Sequence, residues 1–213
     1  MVFTNRQHAA ARLAEALAAY KGRNPLVLAI PRGAVAMGQH LAHELGGELD
    51  AVLVRKLRAP LNPEFALGSI DESGWTYVAD YAESAGGTPA YLEREKQAQL
   101  DTLRARRAQY TPLRPPIDPA GRVVIVVDDG LATGATMIAA LHGLRQRKPA
   151  RLVCAVPVAP ADTLEKIRPY ADEVICLSTP EHFRAVGQFY ADFPQVADSE
   201  VIEILGSAGS GAG

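Results

Sequence analysis

The sequence predicts an α/β fold, a Rossmann-like parallel sheet with helices packed on both faces. Two observations carry this expectation. Short runs dominated by apolar residues recur at 26–30, 51–55, 123–127, 152–156 and 173–177, and each suits a buried strand. Segments with helical apolar spacing separate most of these runs, which is the pattern of parallel strands joined by crossover helices.

Taken in order, residues 7–20 place Ala10, Leu13, Ala14 and Leu17 on one face of a short amphipathic helix. Gly22 and Asn24-Pro25 then break the chain. The strand at 26–30 (LVLAI) stops at Pro31-Arg32-Gly33. A helix follows through Val35, Leu41 and Leu45, with Gly46-Gly47 as its stop signal. The strand at 51–55 (AVLVR) comes next, and helices near 134–147 and 161–169 separate the later strands. Between 55 and 123 the alternation fails. Residues 57–87 are rich in Gly, Pro, Ser and acids, and GSIDESGWTYVAD reads as a hairpin or a mobile loop, the kind of long connection that often serves as a lid. Residues 88–109 read as a helix, with Thr88 as N-cap and Pro89 in the first turn. Its basic residues Arg94, Lys96, Arg104, Arg106 and Arg107 read as a solvated face. Phe183, Phe189, Tyr190 and Phe193 cluster after the last strand, and 206–213 (GSAGSGAG) reads as a flexible tail.

Composition narrows the function. The 213 residues are 48% hydrophobic and 22% charged, ordinary for a globular protein with one substantial core. A net charge of −2 argues against a nucleic-acid partner held by bulk electrostatics. No apolar run approaches the roughly 20 residues that span a bilayer, and the N-terminus lacks the apolar core of a signal peptide, so a cytoplasmic protein without a membrane partner is expected. Cys154 and Cys176 sit in apolar runs and read as buried free thiols. His8, His40, His43, His142 and His182 show no ligand spacing.

The chemistry concentrates at 123–137, VVIVVDDGLATGATM. A buried strand ends in two carboxylates, Asp128 and Asp129. The small-residue turn from Gly130 to Thr136 then opens a helix. Such a turn offers backbone N–H groups and a partially positive helix end to a phosphate, and Thr133 and Thr136 add hydroxyl donors. The acid pair would repel that phosphate, so it suits sugar hydroxyls or a cation. A phosphorylated ribose meets all these demands. A P-loop is excluded, because G-x-x-x-x-G-K-[ST] requires a lysine that this turn lacks.

Four apolar residues, two acids, a short turn and Thr-Gly-x-Thr resemble the phosphoribosyl-pyrophosphate (PRPP) signature of type I phosphoribosyltransferases. The resemblance implies that fold, as one domain over 1–205 with its core at about 25–178. A hood built from about 1–22 and 179–205 would hold the acceptor base, and the loop after the second strand would be flexible. It further implies transfer of the 5-phosphoribosyl group from PRPP to a nitrogenous base with release of pyrophosphate, assisted by Mg²⁺. Asp128 and Asp129 would grip the 2′ and 3′ hydroxyls directly or through the metal, and Ala132, Thr133, Gly134, Ala135 and Thr136 would hold the 5′-phosphate. Arg32 and Gly33 fall where the family places its pyrophosphate loop. Arg55 and Lys56 resemble its basic residues near pyrophosphate, with Lys56 joining the two acids as a catalytic candidate.

One departure narrows the acceptor. Hypoxanthine–guanine enzymes carry an acid in the phosphate turn, whereas this chain has Ala132, as in adenine or uracil phosphoribosyltransferases. Glu64, in the polar loop Asn62-Pro63-Glu64-Phe65, is a conceivable acid/base group, although a plain surface acid is the simpler reading. Two alternatives remain open: a PRPP-binding regulator of the same fold, and a catalyst working in the hydrolytic direction. A homodimer is one option for the assembly.

Overall fold

The computed structural model describes residues 2–63, 65–112 and 116–208. In chain order the elements are α1 (Arg6–Ala16), β1 (Leu26–Ala29), α2 (Val35–Leu45), β2 (Glu48–Ala51), β3 (Val54–Arg58), β4 (Ala66–Asp71) and β5 (Thr76–Val78). There follow α3 (Pro89–Tyr110), β6 (Val123–Val127), α4 (Ala135–Gln146), β7 (Arg151–Val158), α5 (Ala161–Ile167), β8 (Glu173–Ser178) and α6 (Asp198–Ala208). Short 3₁₀ turns occur at Ala18–Tyr20, Arg168–Tyr170 and Val186–Phe189.

Five strands form one parallel sheet in the order β2-β1-β6-β7-β8. Strand alternation divides its side chains between two cores. On one face Val27, Ala29, Ile125, Val127, Val153 and Ala155 pack with α1, α2, α3 and α6. On the other, Leu26, Leu28, Val124, Val126, Leu152 and Cys154 pack with α4 and α5. Because both faces are covered, these strands read as continuous apolar runs, as expected from the sequence.

The middle of the chain departs from the sequence reading. The apolar run at 51–55 is not one strand: it holds the last residue of β2 and the first two of β3, which leaves the parallel sheet. β3, β4 and β5 form a separate antiparallel sheet in that order, with Lys56 opposite Ser69 and Gly68 opposite Val78. The hairpin alternative for GSIDESGWTYVAD (68–80) therefore holds over the mobile-loop one, with β4 and β5 paired and Ser69 and Ile70 buried. The sheet sits on α4: Ser69 Oγ donates to the Ala135 carbonyl at 2.7 Å, and Trp75 stacks on His142 with ring centroids 3.7 Å apart.

α3 begins as expected, with the Tyr91 N–H donating to Thr88 Oγ1. Its basic side is not wholly solvated, however. Arg107 is largely buried and donates to both carboxylate oxygens of Glu72 at 2.8 Å and to the Ala51 carbonyl at 2.8 Å. Cys154 is fully buried and Cys176 half-buried, both as free thiols. Of the expected tail, 206–208 complete α6, and 209–213 lie outside the described residues.

The two ends of the chain meet. The Phe3 N–H donates to the Phe189 carbonyl at 2.8 Å, and the N–H groups of Ala191 and Asp192 donate to the carbonyls of Phe3 and Thr4 at 2.8 and 2.9 Å. This ribbon and the Tyr190–Phe193 stack bring together the two segments from which a hood is expected.

Packing of α2 on the sheet depends on Gly38. A Cβ there would come within 2.9 Å of Ala29 Cβ and Leu49 Cδ1. Gly38→Ala should therefore destabilise the fold by about 1–3 kcal/mol despite the better helix propensity of alanine, read as a lower urea midpoint at unchanged slope.

Candidate active site

Numbered along the parallel sheet alone, the strand order is 2-1-3-4-5, so the direction in which successive strands are added reverses between β1 and β6. Open α/β sheets bind ligands at such switch points, beyond the carboxyl ends of the strands. The two loops that leave there are Pro31-Arg32-Gly33 after β1 and Asp128-Asp129 after β6. The Pro31–Arg32 peptide is cis. The loops touch: a Cβ on Gly33 would lie 2.1 Å from Asp129 Oδ2, so only glycine lets the first loop pass the second acid.

A cavity of about 210 Å³ lies beside the acid pair, lined by Lys56, Asp128, Val186 and the turn from Gly130 to Met137. Gly134 takes a left-handed conformation (φ 77°) at the start of α4, and a Cβ there would meet Thr163 Cγ2 at 2.9 Å. The turn's carbonyls are drawn into the protein. Thr163 Oγ1 donates to the Ala132 carbonyl at 2.6 Å, Tyr190 Oη to that of Asp129 at 2.6 Å, and Ser69 Oγ to that of Ala135. The first turn of a helix leaves its N–H groups without intrahelical partners. With the carbonyls engaged, the amides of 132–136 are the groups this turn presents to an anion.

The acids are partly open to the cavity and enclosed on their other sides. Burial lifts the Asp128 carboxyl well above the usual carboxylate range, and the Asp129 charge adds to the shift. The Asp129 N–H, which donates to Asp128 Oδ1 at 2.8 Å, and the cations Arg6 and Lys56 act in the opposite sense. Asp129 is also raised by burial, against the hydrogen bond and charge of Arg6. Arg6 Nε lies 2.9 Å from Asp129 Oδ2.

The structure brings most of the expected residues together. Asp128, Lys56 and residues 132–136 share the cavity, and Asp129 and Gly33 adjoin it. Arg32 is half-exposed and does not line the cavity; its Nη1 lies 3.9 Å from Asp198 Oδ2 on α6. Arg55 does not reach the site. Neighbouring strand residues point to opposite faces, and Arg55 Nε donates to Gln99 of α3 instead. Glu64 lies outside the described residues. Among the described residues no group of three or more His, Cys, Asp or Glu is placed to hold a metal, so a cation here would rest on the acid pair and ligand oxygens. Sequence reasoning missed Arg6, Ser69 and Thr163. Arg6 carried a faint signal: a cation in the first turn of a helix opposes the macrodipole, which suggests a partner elsewhere.

A buried acid with a raised folded value makes the native state bind more protons than the unfolded chain. Stability then falls as pH rises from the unfolded carboxylate range through the folded value. Asp128→Asn removes that loss while keeping the acceptor for the Asp129 N–H. Its melting temperature should exceed that of the parent at pH 8, and the gain should shrink towards pH 4.

A family model described as "Phosphoribosyl transferase domain" matches residues 3–194. "Putative phosphoribosyl transferase Rv0571c" of Mycobacterium tuberculosis H37Rv is 39% identical over 210 residues, 97% of this chain and 47% of that protein. A protein of M. tuberculosis CDC 1551, "Putative phosphoribosyl transferase MT0597", matches to the same extent. The chain thus spans about half the length of these curated relatives. The crystal structure of TT1426 from Thermus thermophilus superposes with a TM-score of 0.81 at 49% identity, covering 96% of this chain and 98% of that one. The acid pair and the Gly130–Thr136 turn thus lie at the switch point of a family fold, and the chain is a member of the type I phosphoribosyltransferase family.

Proposed function

We propose that this domain transfers the 5-phosphoribosyl group of PRPP to a nitrogenous base and releases pyrophosphate. The observation that carries the reading is a cavity at the switch point that Asp128, the turn from Gly130 to Met137 and Lys56 line together, with Asp129 beside it. Within it the amides of 132–136, with the Thr133 and Thr136 hydroxyls, take the 5′-phosphate. Asp128 and Asp129 take the 2′ and 3′ hydroxyls. Lys56, Arg32 and the backbone at Gly33 take the pyrophosphate.

Two buried carboxylates with hard oxygen donors suit Mg²⁺, which would share them with substrate oxygens. When bound, the ion offsets the charge of the pyrophosphate. The chain's own part is positional and electrostatic. The bond between C1 and the pyrophosphate oxygen breaks with its electron pair on the leaving group, a nitrogen lone pair closes on C1, and the base gives up a proton. Holding both reactants in one orientation removes much of the entropic barrier. A fixed cation at Lys56 stabilises the charge that grows on the leaving oxygen. Val186, packed over Gly130, helps keep water from C1. This chemistry suits a role in nucleotide salvage, which we place in the cytoplasm. Alanine at 132 sets the acceptor apart from hypoxanthine and guanine. Among the described residues no helix is long and apolar enough to cross a membrane.

The test is pyrophosphate release from PRPP and Mg²⁺ across a panel of purines, pyrimidines and simple amines. Release that requires one base class is the expected result. Release with water alone would assign hydrolysis, and PRPP binding without release would assign a regulator. Lys56→Ala should lower turnover by about 10²-fold, the typical loss of one preorganised charge donor.

A further inference from the structure

Among the described residues Arg6 is the one guanidinium hydrogen-bonded to the acid pair, and it joins the hood to the ribose site. Its Nε donates to Asp129 Oδ2 at 2.9 Å, its Nη1 donates to the Pro194 carbonyl at 2.7 Å, and its plane lies 3.7 Å from the centre of the Phe193 ring. Phe193 in turn stacks on Tyr190, whose hydroxyl donates to the Asp129 carbonyl. Asp129 is thus gripped twice from the hood, at its side chain and at its backbone. The same carboxylate oxygen lies against Gly33, where an added Cβ would fall 2.1 Å from Asp129 Oδ2 and 3.1 Å from Arg6 Nε.

We propose that Arg6 is a positioning residue that latches the hood onto Asp129, so that closing the two chain ends together and orienting the second ribose-binding acid are one event. Its planar fork suits the task, because one face stacks while separate N–H groups serve a carboxylate and a carbonyl. The functional half of this statement rests on the reading of Asp129 as a ribose ligand. The structural half does not.

Amide hydrogen exchange over 186–194 tests the latch in the parent, Arg6→Gln, Asp129→Asn and the double variant, each without ligand and with Mg²⁺ and PRPP. Each single substitution should speed exchange in that segment by about tenfold, the scale of one charge-assisted hydrogen bond, and the double variant should go no further. Wild-type exchange rates in Asp129→Asn, or effects that multiply in the double variant, would overturn the latch. PRPP affinity should also fall about tenfold in Arg6→Gln. Arg6→Lys should recover part of that loss, since it restores a cation at Asp129 without restoring the stack on Phe193. No recovery would reduce Arg6 to packing and overturn the positioning role. If the parent binds no PRPP, the phosphoribosyl reading fails, yet the ligand-free comparison of single and double variants still decides the latch.

Discussion

Two adjacent carboxylates held below the surface are the constraint around which this domain is arranged. Side by side, Asp128 and Asp129 repel each other and lose hydration, and burial is the larger penalty for both. The surroundings offset it from several elements at once: Arg6 from α1, Lys56 from β3 and an amide from the turn itself. Such a site destabilises the fold that carries it, as functional sites commonly do. It can persist because the two apolar cores beneath it are continuous and fully buried.

The same constraint explains the small residues nearby. Gly33 exists so that one loop can pass an acid, and Gly134 so that the turn can enter α4 against Thr163. Hydroxyls from three separate elements (Ser69, Thr163 and Tyr190) hold carbonyls of the acid–turn segment back. None of these groups needs to touch a substrate. Their work is to hold the backbone of the turn and of Asp129 in place, which is preorganisation.

Legibility in the sequence followed the range of the interactions. The parallel strands β1, β6, β7 and β8 and the 123–137 motif were readable because burial leaves largely apolar runs and because the motif's residues are contiguous in sequence. The β3–β5 sheet was not, since its strands are short, mixed in polarity and paired outside the main sheet, so 51–55 looked like one strand. That error also hid the separation of Arg55 from Lys56, which strand alternation imposes once β3 is recognised. Arg6 lies 123 residues from Asp129, and no local pattern encodes such a contact. The match to the family extends over most of the chain, and so identifies the fold far better than it identifies the acceptor.

The most direct test is calorimetric titration with PRPP, with and without Mg²⁺, of the parent and of the Asp128→Asn/Asp129→Asn double variant. Metal-dependent binding in the parent that vanishes in the variant is the predicted result. Absence of binding in the parent, or equal binding in both proteins, would contradict the central claim that this acid pair is a ribose site.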